Sequence, residues 1–229
     1  MKKSFLICFF GMDGSGKSTL SRYLFEDLQN REINSSYTWW LERENSFIRK
    51  FIRKLHKSYP INNKTHPPDS YSKKTRNSRL NFFFRTFYPR FILIDYLFFG
   101  FFRSWIPMHF GGKKILIFDR YYPDVLSALN EEFGISQQHS ILIKLYTIII
   151  PDPDLIFIIK VSPDISYNRK KEEILSIENA KYIWEMQENM YSQFLYKFKK
   201  SKILEIDNTG NISGTKTVVV SETLQFITE

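Results

Sequence analysis

Short runs of mainly apolar residues are spaced along the chain. In the first, residues 4–10 (Ser-Phe-Leu-Ile-Cys-Phe-Phe), almost every position is apolar. Such a run is typical of a strand that is buried on both faces, as in a parallel sheet. Other strands are predicted at 115–119, 155–161 and 202–206, and the more polar residues 33–39 form a plausible further strand.

Between these runs, apolar residues recur at helical spacing. Leu20, Leu24 and Leu28 mark the apolar face of one amphipathic segment. A second stripe consists of Ile183, Met186, Met190, Phe194 and Phe198. The predicted helices cover about 18–30, 123–149, 178–199 and 213–228, and Pro163 is placed to open a further one. Strands that alternate with helices predict an α/β fold, with a mainly parallel five-stranded sheet flanked by helices in three layers, as one domain over residues 1–229.

Residues 42–110 are too long for a simple crossover, and we interpret them as a basic, aromatic, helical insertion within that domain. Residues 42–90 hold 13 Lys and Arg against 3 Asp and Glu, whereas the rest of the chain holds 20 against 21. A nucleic-acid-binding protein can carry such a segment. The sequence contains no recognisable nucleic-acid-binding fold, however, so that partner is not expected. A basic surface that faces anionic lipid or a phosphorylated substrate is the other interpretation.

The end of this insertion, residues 91–102, is very apolar and is bracketed by Arg90 and Arg103. Twelve residues of helix are about 18 Å long, whereas a membrane span needs about 20 residues. Asp95 also lies inside the run. The pattern therefore favours a helix of the protein core over a peripheral membrane contact, and a transmembrane span is not expected.

Cys8 is the single cysteine, so no internal disulfide can form, and it lies in an apolar run. The first apolar stretch ends at Phe10 and continues into a glycine-rich loop without a small-residue cleavage site, which argues against a signal peptide. Together these features favour a cytoplasmic location. The oligomeric state, including a homodimer, stays open.

The glycine-rich loop after the first predicted strand fits the pattern G-x-x-x-x-G-K-[ST]. Its residues are Gly11, Met12, Asp13, Gly14, Ser15, Gly16, Lys17, Ser18 and Thr19. The glycines let backbone N–H groups point at phosphate oxygens, and the N-terminus of the following helix adds its dipole. Lys17 can bridge the β- and γ-phosphates, and Ser18 can ligate Mg²⁺. The motif predicts that this loop, a P-loop, binds ATP with Mg²⁺.

Two further groups of charged residues are candidates for the same site. Asp119 and Arg120 stand at the end of a predicted strand, and ligands bind at the carboxyl ends of strands in open α/β sheets. Asp119 can hold Mg²⁺ there, and Arg120 can grip an acceptor phosphate or stabilise transferring charge. The run Arg169-Lys170-Lys171 can belong to a lid over ATP, with Arg169 as its main candidate, although a solvated helix face is the alternative.

As a set, these segments resemble the thymidylate kinases, a branch of the P-loop nucleotide kinases. The resemblance rests on the glycine loop, Phe118–Tyr121, Pro153–Phe157, Val161–Asp164 with Arg169, and Leu204–Asp207. It implies a P-loop-kinase-like fold, with ATP and a small phosphate acceptor as ligands.

The resemblance also implies a role for each candidate residue. Asp13 would face the acceptor nucleotide, and Asp119 and Arg120 would handle the metal and the acceptor phosphate. Arg169 would lie at the start of the lid, and the loop 207–210 would run beside the adenine. Lys17, Asp13, Asp119, Arg120 and Arg169 are thus the candidate catalytic residues.

The chain departs from the family on the acceptor side. Thymidylate kinases carry an Arg-Glu-Pro-Gly-Gly loop after the second strand, whereas residues 38–44 here read Thr-Trp-Trp-Leu-Glu-Arg-Glu. The family also carries an Asp-Arg pair on the helix before the third strand, where this chain has Asp95-Tyr96. The Asp95-Tyr96 helix and the run Arg169-Lys170-Lys171-Glu172 are similar instead to thymidylate-kinase-like proteins associated with bacterial surface polysaccharide genes.

The sequence therefore predicts an ATP-dependent kinase that phosphorylates a nucleoside monophosphate, with dTMP as the first choice. Two alternatives stay open: a kinase with a sugar or glycan acceptor in surface polysaccharide metabolism, and a non-enzymatic ATP-binding module.

Overall fold

Five parallel strands form one sheet in the computed structural model, which describes residues 4–40, 90–126, 141–172 and 174–228. The strands are β1 (Ser4–Phe10), β2 (Ser35–Trp39), β3 (Lys114–Asp119), β4 (Leu155–Lys160) and β5 (Lys202–Asp207). Their order across the sheet is β2-β3-β1-β4-β5, and every neighbouring pair is parallel. The predicted α/β class, with a five-stranded parallel sheet flanked by helices, is confirmed.

The apolar content of each strand matches its place in the sheet. The three central strands are buried along almost their whole length, as continuous apolar runs predict. The edge strand β5 instead alternates half-buried and exposed residues, with Ile203 and Glu205 facing solvent. Phe9 of β1 lies opposite Asp119 of β3, so the segments that leave these two strands emerge side by side at the carboxyl edge of the sheet.

Six helices accompany the sheet in the described part of the chain. They are α1 (Lys17–Asn30), α2 (Arg90–Phe110), α3 (Ile141–Ile149), α4 (Pro163–Arg169), α5 (Ile177–Leu195) and α6 (Ile212–Thr228). Pro163 is the first helical residue of α4, and Ser162 Oγ accepts from the Ile165 N–H at 3.4 Å, which confirms the predicted start. Residues 41–89, most of the predicted insertion, lie outside the described residues.

Two predicted helices differ from the structure. The helix predicted over 178–199 ends at Leu195, because successive three-residue backbone hydrogen bonds, such as Phe198 N–H to Leu195 O, turn the chain toward β5. Phe198 stays buried although it lies beyond the end of α5, so the helical spacing of apolar residues extends past the helix itself. The helix predicted over 123–149 is seen as a helical turn at 122–126 and as α3, and residues 127–140 lie outside the described residues.

The helices cover both faces of the sheet. On one face, α1 and α6 pack against alternate strand residues such as Ile7 and Phe9. On the other face, α2, α3, α5 and the turn at 122–126 pack over the intervening residues, such as Leu6 and Cys8. The predicted three layers are present in the described residues.

The apolar run 91–102 lies in α2, and the predicted core helix is confirmed for one face only. Ile92 and Tyr96 belong to the core, with 2% and 6% of their surface exposed. Phe98 and Phe102 of the same helix are 61% and 60% exposed. With 21 residues, α2 is the one helix of the described chain that is long and apolar enough to cross a membrane, judged by length and composition alone.

Candidate functional site

The glycine loop leaves β1 at the carboxyl edge of the sheet and enters α1 at Lys17. Gly14 and Gly16 have φ angles of 82° and 92°, a left-handed conformation that other residues rarely adopt. A Cβ atom at Gly14 would lie 2.9 Å from the carbonyl oxygen of Ser166, and one at Gly16 would lie 2.5 Å from Asn208 Nδ2. The loop is folded so closely against its neighbours that both positions require glycine.

Side chains from distant parts of the chain fix the direction of the loop's peptide groups. Asn208 Nδ2 donates to the carbonyl oxygen of Ser15 at 2.7 Å, and Thr215 donates to Asn208 Oδ1 at 3.0 Å. The Ser166 hydroxyl donates to the carbonyl oxygen of Asp13. Because C=O and N–H point in opposite directions across a trans peptide, these contacts turn the following N–H groups toward the other side of the loop.

The candidate lid residue Arg169 is brought against the glycine loop. It is the last residue of α4 and is exposed, and its guanidinium donates to Gly14 O at 3.2 Å and to Asn208 O at 3.0 Å. It therefore connects the loop to the segment that follows β5. In that segment, which was predicted to run beside the adenine, the Asp207 carboxylate accepts from the Thr209 N–H at 2.9 Å.

Lys17 is the buried cation of the loop. Its side chain is 4% exposed, and Nζ donates to Met12 O at 3.1 Å and to Asp13 Oδ1 at 3.0 Å. Burial lowers the pKa of Lys17, and the positive charge of Arg120 lowers it further, against the opposing effect of Asp13. An ammonium group in this setting is stabilised by any additional negative charge that the loop can bind.

Arg120 lies on the other side of the same carboxylate. Its φ of 68° is rare for a residue with a side chain, and its N–H donates to Phe9 O at 3.0 Å, so β1 holds this turn in place. The guanidinium contacts Asp13 Oδ1, the oxygen that Lys17 also contacts. Burial raises the pKa of Asp13, but the charges of Arg120 and Lys17 outweigh this and hold the pKa well below its ordinary value. One carboxylate thus serves two cations.

Asp119 ends β3 and is almost fully buried, with 1% of its surface exposed. Its Oδ2 accepts from the Tyr37 hydroxyl at 3.1 Å, and Tyr37 comes from the neighbouring strand β2. Its Oδ1 and the buried Ser15 Oγ have no hydrogen-bond partner among the described residues. Buried oxygens of this kind are usually satisfied by water, an ion or a ligand.

The second predicted metal ligand, Ser18, is half-buried in the first turn of α1, and Thr19 beside it is exposed. Within the described ranges, no group of three or more His, Cys, Asp or Glu side chains could hold a metal. A Mg²⁺ ion at Asp119 and Ser18 would therefore take most of its ligands from water and phosphate oxygens, which is its usual mode of binding.

Two buried residues that the sequence did not identify as candidates, Tyr191 and Asp124, connect the site to α5. Tyr191 Oη accepts from the Gly11 N–H and donates to Asp124 Oδ1, each at 3.1 Å. Asp124 also accepts from the Tyr121 N–H at 3.1 Å and pairs with Arg120 at 3.4 Å. Burial raises the pKa of Asp124, and Arg120 and the Tyr121 N–H oppose that only in part.

The sequence offered one weak signal for this pair. Asp124 follows Arg120 by four residues in the otherwise apolar stretch 121–126, a spacing at which side chains meet on a helix. Tyr191 gave no such signal, because a tyrosine on a mainly apolar helix face usually contributes only its ring to the core.

A small depression of about 10 Å³, enough for one water-sized group, lies between the end of β4, the start of the glycine loop and α5. Its lining residues are Gly11, Met12, Ile158, Ile159, Lys160, Val161, Trp184, Gln187, Glu188 and Tyr191. Lys160 forms ion pairs with Glu205 at 2.8 Å and with Glu188 at 3.9 Å. Gln187 Oε1 is buried without a hydrogen-bond partner among the described residues.

Comparison with known proteins adds no family to this geometry. A scan against protein-family models finds no match, and a search among curated proteins finds none either.

Proposed function

We propose that this protein is an ATP-dependent phosphotransferase, similar to thymidylate kinase, which transfers the γ-phosphate of ATP to a nucleoside monophosphate, with dTMP as the first choice. The observation that carries the proposal is the meeting of two cations at one carboxylate. Lys17 from the glycine loop and Arg120 from the end of β3 both contact Asp13 Oδ1. One cation follows β1 through the glycine loop and the other follows β3, its neighbour in the sheet. Two cations placed so close together suit a reaction in which two phosphate groups approach each other.

The glycine loop supports the donor half of this proposal. A backbone binds phosphate oxygens through three features that this loop has. They are left-handed glycines, carbonyl groups turned outward, and the N-terminus of the helix that follows, here α1. Lys17 would then lie against the terminal phosphates of ATP. Asp13 is shared between Lys17 and Arg120, so one negative charge faces two positive charges. The polyphosphate would supply the additional negative charge.

Asp119 and Ser18 are the residues that would hold Mg²⁺. The buried Asp119 Oδ1 without a hydrogen-bond partner in the described structure fits this role, because a carboxylate oxygen is the ligand that Mg²⁺ prefers. When bound, the ion would neutralise charge on the β- and γ-phosphates. Tyr37 would orient the carboxylate through its bond to Oδ2.

Arg120 is the residue proposed to align the acceptor phosphate. In the reaction, an acceptor phosphate oxygen would form a bond to the γ-phosphorus while the bond from that phosphorus to its bridging oxygen breaks, which releases ADP. A guanidinium can contact two phosphate oxygens at once and so fix the angle of attack. The neighbouring contacts to Asp124 and Asp13 would hold the guanidinium in place before the acceptor arrives.

One observation favours the alternative acceptor, a sugar or glycan. The depression beside Met12 is lined by Trp184, Gln187 and Glu188, an aromatic residue beside two residues that can accept hydrogen bonds. Such a set suits one hydroxyl group of a sugar, and the rest of the ligand would lie outside the depression. The same phosphoryl chemistry would then act on a hydroxyl group.

The proposal is tested by ADP release from ATP and Mg²⁺ across nucleoside monophosphates and sugars. We expect turnover with dTMP, and a loss of about 10²–10³-fold in kcat for Lys17→Ala. Lys113→Ala removes an exposed lysine ahead of β3 and serves as the matched control, with unchanged turnover. Turnover with sugars alone would mean that the acceptor is a sugar and not a nucleoside monophosphate. If neither class is phosphorylated and ATP does not raise the melting temperature, the kinase proposal is wrong.

A further inference from the structure

Helix α2 is mainly apolar, with rings and aliphatic side chains on more than one face, yet only 28% of its most apolar stretch of 18 residues is buried. A helix with this composition normally lies inside a protein or a membrane. Its inner face meets the first condition, because Ile92, Leu93 and Tyr96 pack into the core beside the sheet. Its outer face does not, and this difference between the two faces needs a physical explanation.

The outer face carries large aromatic rings. Phe91, Phe98 and Phe102 follow one another at spacings of seven and four residues, which places them on one stripe of the helix. They are 42%, 61% and 60% exposed, and Phe110 at the end of the helix is 75% exposed. Farther along, the Trp105 ring stacks between Phe101 and His109, with centroids 4.9 Å and 4.4 Å apart.

Positive charges accompany these rings. Arg90 begins the helix, Arg103 lies beside Phe102, and Lys113 follows the helix, and all three are exposed. The sequence immediately before α2 is strongly basic, since residues 42–90 hold 13 Lys and Arg against 3 Asp and Glu. Aromatic rings mixed with cationic side chains are typical of a helix that lies in the interface of an anionic membrane.

We propose that the outer face of α2 binds the surface of a membrane that contains anionic lipids, with the helix axis parallel to the membrane plane. The phenylalanine rings would enter the boundary between headgroups and acyl chains, and the arginines would lie among the lipid phosphates. This inference does not depend on the phosphotransferase activity. It concerns a different face of the protein and a different ligand.

The packing of the inner face excludes a transmembrane arrangement of α2 in this fold. Tyr146 donates to the carbonyl oxygen of Leu93 at 2.6 Å, which ties α2 to α3. Gly100 lies against Trp40 and Ile150, and a Cβ atom there would approach both side chains within 2.6 Å. A helix held against the sheet on one side can present only its other side to lipid. Asp95, which is half-buried, follows Phe91 by four residues and so lies on the same stripe as the exposed rings, and its carboxylate favours a shallow position of this face near the headgroups.

A second copy of the chain fits this face less well than a membrane. In a symmetric dimer the same surface meets itself, so the arginines of α2 would face their own copies. Like charges that meet across an interface weaken association. An anionic lipid surface instead supplies the opposite charge and an apolar layer together.

The orientation of α2 relates this face to the carboxyl edge of the sheet. Gly112, just after the helix, accepts from the Ser4 hydroxyl at 2.6 Å, at the start of β1. The helix therefore ends near the amino edge of the sheet and begins toward the carboxyl edge.

The experiment is co-flotation of the full-length protein with vesicles of phosphatidylcholine, with or without phosphatidylglycerol, at low and high salt. We expect binding to the anionic vesicles that weakens as salt rises. Phe98→Glu/Phe102→Glu should reduce it by at least about tenfold, because charges replace the inserting rings. Tyr182→Glu/Tyr196→Glu changes two rings of similar exposure, 59% and 64%, in and just after α5, and should bind as the wild type does.

Several outcomes would overturn the proposal. They are absence of wild-type flotation with either vesicle, equal flotation with neutral vesicles, and an equal loss in the control variant. Size-exclusion chromatography with light scattering examines the second copy directly. A dimer that Phe98→Glu/Phe102→Glu dissociates, without any vesicle binding by the wild type, would assign this face to self-association. Unchanged melting temperatures would show that the variants remain folded.

Discussion

The carboxyl edge of the sheet and the outer face of α2 depart from the usual distribution of residues in opposite directions. At the edge, Lys17, Asp119 and Asp124 are charged yet only 4%, 1% and 3% exposed. On α2, Phe98 and Phe110 are apolar yet 61% and 75% exposed. Buried charges and exposed aromatic patches are the informative exceptions in a folded chain, because neither follows from packing alone.

The two regions differ in how far contacts within the protein pair their polar groups or cover their apolar side chains. At the edge, most buried polar side chains have hydrogen-bond or ionic partners within the protein, as Asp124 has in Arg120, Tyr121 and Tyr191. On the outer face of α2, no comparable set of contacts covers Phe98 and Phe102 within the described residues. The edge should therefore be organised before any ligand binds, whereas the helix face becomes covered only in a complex. Loss of a few atoms should matter more at the edge.

Among substitutions at the carboxyl edge, the largest loss of stability is expected from Asp124→Ala. The substitution leaves the Tyr121 N–H and the Tyr191 hydroxyl without an acceptor and removes one of the partners of Arg120. Breaking a buried charged pair costs about 3–5 kcal/mol. Because Arg120 keeps Asp13, we expect about 3 kcal/mol in denaturant unfolding. Asp164→Ala changes an exposed aspartate and should cost only a few tenths of a kcal/mol.

Asp124→Asn separates charge from hydrogen bonding at this position. The amide oxygen can still accept, so we expect a loss of about 1–2 kcal/mol, between wild type and alanine. If Asp124→Ala is no more destabilising than Asp164→Ala, the buried network at the edge does not stabilise the fold, and the contrast with α2 disappears.

A smaller effect is expected from Tyr191→Phe, which removes one oxygen atom. The ring would keep its contact with Phe10, whose centroid lies 5.2 Å away, but the Gly11 N–H would lose its acceptor. A buried hydrogen-bonding group left unsatisfied costs about 1–3 kcal/mol, and we expect the lower half of that range. The matched control is Tyr196→Phe, at a tyrosine that is 64% exposed.

A double-mutant cycle tests whether Tyr191 acts through Asp124. Residues of one hydrogen-bond network show coupling energies of about 0.5–3 kcal/mol, whereas independent residues are additive. The loss in Tyr191→Phe/Asp124→Ala should therefore be smaller than the sum of the two single losses. Additive losses would mean that the hydroxyl supports Gly11 alone.

The pH dependence of stability should show the contribution of Asp13. Its pKa is lower in the folded protein, so the ionised form stabilises folding above the ordinary pKa of an aspartate, about 3.9, and this contribution is lost as the pH falls below it. The side chain is 47% exposed, so after solvent screening we expect about 1 kcal/mol or less.

Thermal unfolding of wild type and Asp13→Asn between neutral and acidic pH measures that contribution. The difference between the two proteins should be constant at neutral pH and should narrow as the pH falls below about 4. A difference that does not change with pH would show that Asp13 acts through its shape or its hydrogen bonds and not through its charge.

The two regions were also accessible to sequence analysis to different degrees. The glycine loop and the ends of β1 and β3 were predictable because the motif is local and apolar runs identify buried strands. The partnership of Tyr191 with Asp124 was not, because it joins residues 67 positions apart through a hydroxyl on an apolar helix face. The composition of α2 predicted a helix, but composition alone cannot say which of two apolar faces packs on the sheet.

The smallest effect is expected from Phe98→Ser, although it removes a whole aromatic ring. The ring is 61% exposed, so little apolar contact is lost in the isolated protein, and the free energy of unfolding should change by about 0.5 kcal/mol or less. Ile92→Ser on the inner face of the same helix is the matched comparison and should cost several kcal/mol, because Ile92 is 2% exposed in the core. Denaturant unfolding of both variants measures the difference between the two faces. Similar losses would mean that the outer face of α2 is packed within the folded chain, in which case it is not available to a membrane and the contrast with the carboxyl edge fails.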